Sequence, residues 1–175
     1  MRFLETKLAG AYVIDLEPHE DVRGFFARTF CAREFKDHGL ATKFVQCSIS
    51  VNRKRGTLRG LHYQLPPCGE IKLVRCTAGA IYDVIVDLRQ DSPTYWEHLG
   101  VELTARNRHA LYVPERFAHG FQTLEDDTEI FYQISEFYAP EQSAGVRFDD
   151  PKLGIQWPLP VAEISDKDRR WPLLD

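Results

Sequence analysis

Four cysteines (Cys31, Cys47, Cys68 and Cys76) at wide, irregular spacings, without a CxxC pair, are too few and too scattered for a disulfide framework or a thiolate zinc site. All four read as reduced thiols. Charge of one sign is also lacking: 22 Lys and Arg against 26 Asp and Glu leave a formal net charge of −4, without the broad basic footprint of a nucleic-acid binder. No apolar run approaches the ~18 residues needed to span a bilayer. The start, MRFLETKLAG, lacks the basic-then-apolar build of a signal peptide. Neither a membrane nor a nucleic acid is expected as a partner, and the expected location is the cytoplasm. The chain contains no internal repeat of ~20–50 residues, low-complexity tract or Ser/Gly linker, so residues 1–175 are expected to form one domain.

Long helical periodicity is scarce as well. Its best candidate is CAREFKDHG, Cys31 to Gly39, about two turns ending on a glycine able to take the left-handed C-terminal conformation. What the chain has instead is 12% aromatic residues and β-branched residues in short alternating runs between Gly and Pro punctuation. The clearest strand pair is KLVRCTAGAIYDVIVDLR, with its turn at Thr77 to Ala80 around Gly79. Further strands are expected at residues 11–16, 24–30, 42–51, 57–64, 97–103, 109–113, 120–123 and 129–137. So many short strands on one chain of this length predict an all-β sandwich or jelly roll.

Period-two alternation in the second strand of that pair puts Ile81, Asp83, Ile85 and Asp87 on one face. Asp83 thus reads either as a carboxylate at a sheet edge or in solvent, or as a charge aimed into a concave polar site. In GTLRGLHYQ the same alternation groups Leu58, Gly60, His62 and Gln64 and turns Arg59 away, unless a bulge intervenes. LYVPERFAHGF carries His119 shortly after an edge- or turn-marking Pro114. EIFYQISEFYAP carries Tyr132 and Tyr138, six apart and so on one side if a single strand holds both. Taken singly, these side chains read as packed or solvated groups. Together with Arg23, Arg59 and Lys72, separated cations suited to a diphosphate, they suggest a site.

The ordered set DVRGFF, TLRGLHYQ, KLVRC with AGAIYDVIVDLRQDSPTY, VPERFAHGFQTL, FYQISEFYAP, FDDPKLGIQWP and ISDKD resembles the dTDP-4-dehydrorhamnose 3,5-epimerase family, the RmlC-like cupins, over essentially the whole chain. The resemblance implies a cupin-type jelly roll with short peripheral helices. It also implies a homodimer in which an N-terminal segment completes the partner's site, and a nucleotide-diphospho-4-keto-6-deoxy sugar as substrate. By the same resemblance His62 is the base, Tyr132 the acid, Asp168 the carboxylate paired with the histidine and Lys72 the stabiliser of the C4 oxyanion. Arg23, Gln46, Ser48, Arg59, Asp83, His119, Tyr138 and Lys167 then form the substrate-binding set. Histidine suits the base role as a residue type that titrates near neutral pH. Without the resemblance, Ser165-Asp-Lys-Asp168 reads simply as a capped turn.

Cupins that hold a metal commonly use an HxH pair with a later Glu and His. Here the segment is His62-Tyr63-Gln64, and an amide beside Glu70 and His119 makes a poor divalent set, so no metal and no cofactor is expected. The chain departs from the family pattern at Arg28, Ser48, Ser143 and the Pro114-Glu115-Arg116 turn, all on the ligand-recognition side. A CDP- or GDP-linked sugar, or inversion at one carbon, stays compatible with these residues. So do two readings from other classes, a metal-dependent cupin enzyme and a non-catalytic nucleotide-sugar-binding cupin.

Overall fold

The computed structural model describes residues 1–174. In chain order the strands are β1 (Arg2–Glu5), β2 (Tyr12–Asp15), β3 (His19–Asp21), β4 (Gly24–Phe26), β5 (Gln46–Asn52), β6 (Leu58–Gln64), β7 (Lys72–Ala78), β8 (Ala80–Asp87), β9 (His98–Thr104), β10 (Ala110–Val113), β11 (Phe117–Thr123), β12 (Thr128–Ile134) and β13 (Ser143–Gly145). Two short helices, α1 (Ala32–Asp37) and α2 (Asp166–Arg169), lie outside the sheets. Six strands form one antiparallel sheet in the order β1-β2-β10-β7-β12-β5, and five form another in the order β13-β6-β11-β8-β9. From β7 to β12 the chain repeatedly changes sheets, which is the winding of a jelly roll.

Alternation explains the layering. Val74, Cys76 and Ile130 from the first sheet meet Ile81, Ile85, Phe117 and Phe121 from the second in the central core. The outer face of the six-stranded sheet, with Ile14, Leu73, Ala110 and Tyr112, is covered by Phe35 of α1 and by Leu40. The outer face of the other sheet, with Leu61, Val84, Val86 and Ala118, is covered by the C-terminal segment through Val146, Leu153 and Trp157. Helix α1 falls inside the expected 31–39 segment, and Gly39 takes φ +70° just beyond its end.

The KLVRC and AIYDVIVD strands are present with Gly79 at φ +73° between them, but they do not pair with each other. The turn is a corner: β7 pairs with β10 and β12, whereas β8 pairs with β11 and β9. Strand β12 stops at Ile134, so Tyr138 does not share a strand with Tyr132. Tyr138 lies in the segment before a 3-10 turn that begins at Pro140. Strands β1, β3 and β13, of three or four residues each, were too short to stand out from composition.

At the end of β8, fully buried Asp87 accepts hydrogen bonds from Arg89 Nε and Nη2, Ser92 Oγ and Thr94 Oγ1, at 2.6–2.9 Å. Burial opposes its ionisation, but these donors outweigh burial and hold the carboxyl well below its ordinary range. A carboxylate with a depressed folded-state pKa stabilises fully above its unfolded value and loses that contribution as pH falls through the folded one. Asp87→Ala is therefore expected to cost about 3 kcal/mol at neutral pH in urea melts. The gap from the wild type should narrow below about pH 4. A gap independent of pH would contradict this account.

Candidate active site

Strands β6 and β11 set the site's geometry where their backbones come closest. A Cβ on Gly60 would lie 2.5 Å from Gly120 Cα, and one on Gly120 would lie 2.6 Å from Arg59 O. Only glycines fit there, and Gly60 also takes φ +128°. Across this contact the register shifts: Arg59 faces Phe121 and His62 faces His119, three residues on one strand against two on the other. The extra residue is a β-bulge, and it breaks the alternation expected for 58–64. Arg59 and His62 consequently both line the cavity between the sheets.

That space comprises two adjoining cavities of about 630 and 270 Å³ that share Arg59, His62, Lys72 and Ile134. His62, Arg59 and His119 come from the five-stranded sheet, while Tyr132, Lys72 and Ser48 come from the six-stranded one. Histidine and tyrosine thus stand on opposite walls. Register reinforces the second wall, since Tyr132 lies between Ser48 of β5 and Val74 of β7.

Asp168 connects the C-terminal segment to this centre. Its Oδ1 lies 2.6 Å from His62 Nε2, and its Oδ2 accepts the Gly60 N–H at 3.2 Å. Ser165 caps α2 by accepting the Asp168 N–H at 3.1 Å, so the capped turn read from the sequence exists and is what aims Asp168. Burial opposes ionisation of Asp168, but His62, the Gly60 N–H and Ser165 together hold its carboxyl below the ordinary range. The Trp171 ring stands edge-on to His62 at 6.2 Å between centroids.

A second His–Asp pair lies behind the cavity wall. His119 Nε2 is 2.8 Å from Asp83 Oδ1, and Asp83 is fully buried with Oδ2 lacking a hydrogen-bond partner. Asp83 does indeed share the inner face with Ile81 and Ile85. It lines neither of the two cavities, however, and supports His119 from behind. The His119 and Tyr132 rings meet edge to face at 6.2 Å. Burial pushes the Tyr132 phenol well above its ordinary value, Asp83 adds to this and Arg59 opposes it.

The remaining expected residues divide. Lys72 is buried and paired with Glu70 at 2.8 Å. Lys167 and Tyr138 line the larger cavity, with Lys167 Nζ donating to Ser143 Oγ at 3.3 Å. Gln46 lines neither of the two cavities; its Oε1 accepts the Tyr138 N–H at 2.8 Å and so places that segment. Arg23 is 86% exposed on the β3–β4 hairpin, is paired with Asp21, and lines neither of the two cavities. Gln64 is buried with its amide committed to Cys68, Phe137 and Ala139. Among the described residues no cluster of three His, Cys, Asp or Glu could hold a metal ion.

Two supports were not expected from the sequence. Buried Asn52 accepts Arg59 Nε at 2.7 Å, and Glu70, considered only as a metal donor, is the charge partner of Lys72. The Glu70-x-Lys72 spacing, which puts both on one side of an entering strand, was the available signal.

Fold and site define a class: a cupin-like jelly roll whose central cavity sets a His–Asp pair against a tyrosine, with cations for an anionic ligand. Residues 5–175 match the family model described as dTDP-4-dehydrorhamnose 3,5-epimerase. The enzyme of that name from Methanothermobacter thermautotrophicus is 47% identical over 174 residues, covering 97% of this chain and 92% of its own. The crystal structure of the Bacillus anthracis enzyme of that name, with TDP and PPi bound, superposes with a TM-score of 0.95 at 41% identity and covers 99% of both chains. That of the Legionella pneumophila dTDP-6-deoxy-D-glucose-3,5-epimerase, in complex with dTDP-4-keto-L-rhamnose, gives 0.92 at 35% identity over 98% of this chain and 92% of that one. The chain belongs to the dTDP-4-dehydrorhamnose 3,5-epimerase family.

Because the bulge aligns Arg59 with His62, Gly120→Ala is expected to cost about 2 kcal/mol by overpacking against Arg59 O and Leu61. Thermal melts should show the loss. An unchanged midpoint would mean the two backbones can separate freely.

Proposed function

We propose that this chain epimerises C3 and C5 of a dTDP-linked 4-keto-6-deoxy sugar, working as one domain and without metal chemistry. The observation that supports this reading best is the His62–Asp168 bond of 2.6 Å, set across the cavity from Tyr132 with Lys72 between the sheets. A C4 carbonyl acidifies the protons on both neighbouring carbons. With Nε2 committed to Asp168, His62 Nδ1 is the nitrogen left to take such a proton. The C–H electron pair becomes an enolate whose charge on O4 faces the Lys72 ammonium. Tyr132 then delivers its own proton to the same carbon from the opposite wall. The carbon is inverted, and the imidazolium and tyrosinate return to their starting states by exchange with solvent. Burial keeps the Tyr132 side chain a phenol in the resting site, so that a proton donor and not a phenolate stands opposite the base. Asp168 fixes the histidine tautomer and stabilises the imidazolium.

Arg59, Lys167, His119, Ser48 and Tyr138 bind the nucleotide and sugar in this reading, while Asp83 and Gln46 hold His119 and the Tyr138 segment. Arg23 works in a second copy of the chain. Support for a homodimer comes from the unpaired edge strand β5, whose Ile49 and Val51 are 63% and 54% exposed, and from Phe26 of the hairpin at 73%.

Deuterium exchange at C3 and C5 in D₂O, followed by NMR, tests the reaction. Exchange is expected with the dTDP sugar, and its absence with dTDP-, CDP- and GDP-linked 4-keto sugars alike would overturn the proposal. His62→Ala and Asp168→Asn are each expected to lose ~10²–10⁴-fold in kcat. Tyr132→Phe should impair completed inversion more than exchange. Retention of full activity by His62→Ala would show that the base lies elsewhere. For the shared site, a mixture of inactive Arg23→Ala and His62→Ala chains should regain part of the activity, since one site of the mixed dimer holds both wild-type groups. No recovery on co-refolding would place Arg23 outside the partner's site.

A further inference from the structure

Three cations border the cavity, Arg59, Lys72 and Lys167, and among the described residues only Lys72 is in an ion pair. Glu70 Oε1 lies 2.8 Å from Lys72 Nζ, with both side chains just 10% exposed. Arg59 and Lys167 are exposed at the rim, where each donates to a neutral oxygen: Arg59 to Asn52 Oδ1 and Lys167 to Ser143 Oγ. Lys72 alone of the three is buried, and with Arg59 it lines the smaller cavity beside His62, His119 and Tyr132. The buried end therefore carries a cation already paired with a carboxylate, and the exposed side carries two cations that, among the described residues, form no ion pair.

We propose that Glu70 is a specificity-determining residue that sets the register of the ligand. By cancelling the charge of Lys72 it keeps phosphate groups at Arg59 and Lys167 and reserves the deep end for an uncharged sugar carbonyl. The inference rests on the epimerase reading for which end of the ligand lies deep. An ammonium has three N–H donors, so Lys72 can hold Glu70 with one and still offer another to a carbonyl oxygen. A phosphate at the same point would meet the Glu70 carboxylate across a few ångströms in a poorly solvated space, where like charges repel strongly. Without Glu70 the buried ammonium would become the strongest anion attractor in the cavity. A diphosphate would then seat there unproductively, across the atoms that must exchange protons.

Inorganic pyrophosphate, titrated calorimetrically into the folded protein, reads this directly and needs no turnover. Glu70→Gln, which keeps the shape and removes the charge, is expected to bind pyrophosphate at least about tenfold tighter than the wild type. Glu70→Ala should show the same gain, and Glu70→Asp should stay near the wild type. Adding Lys72→Met to Glu70→Gln should abolish the gain. Unchanged affinity in both neutral variants, or an equal gain when Lys72 is absent, would overturn the proposal. A merely structural Glu70 would weaken the fold without tightening an anion. Failure of the epimerase reading is a separate result, visible as wild-type protein that exchanges no sugar protons while these affinities still differ.

Discussion

Gly60 and Gly120 let two strand backbones approach to a distance that no side chain tolerates, and the register shift at that point determines what faces the cavity. Regular alternation would turn Arg59 and His62 to opposite sides of β6. The bulge turns both inward, opposite Phe121 and His119, so a guanidinium and an imidazole share one wall. Everything the cavity does in the proposed reaction depends on that local exception to the pleat. The Asp168 carboxylate uses the same irregularity, since its second oxygen accepts the Gly60 N–H.

The sandwich supplies the stereochemistry. A reaction that removes a proton from one face of a ring and returns it to the other needs its base and acid on opposing surfaces, and two packed sheets provide them without a moving part. Ion pairing then sorts the cavity by depth. Asp168 steadies His62, Asp83 steadies His119 and Glu70 steadies Lys72, whereas the rim cations Arg59 and Lys167 are held by neutral groups. A chain with a net charge of −4 can therefore offer positive charge in one place, because its acids are spent on particular partners.

Much of the fold was legible in the sequence because most strands are long enough for alternation to register. Helix α1 had its closing glycine, and the inner face of β8 followed from Ile81, Asp83 and Ile85. Pairing was less legible: the turn at Gly79 looks like a hairpin, yet nothing local distinguishes a hairpin from a corner between sheets. Tyr138 was misplaced because aromatic alternation continues past Ile134 after the ladder has ended. In the candidate site, His62, Tyr132 and Lys72 were named through the family resemblance, and so was Asp168, which is 106 residues from the histidine it bonds. Asp83 was named for substrate binding, and the structure buries it completely against His119. Asn52 and Glu70 were missed because their work is to hold another side chain, and such a bond leaves no period in a sequence.

The proposed reaction depends on Asp168 fixing His62 with Nε2 protonated and Nδ1 bare. Long-range ¹⁵N–¹H NMR of histidine-labelled protein at neutral pH measures this directly. The account expects His62 in the Nε2–H tautomer in the wild type, with that preference lost in Asp168→Asn. A wild-type His62 protonated on Nδ1, or one averaging between tautomers regardless of Asp168, would contradict it.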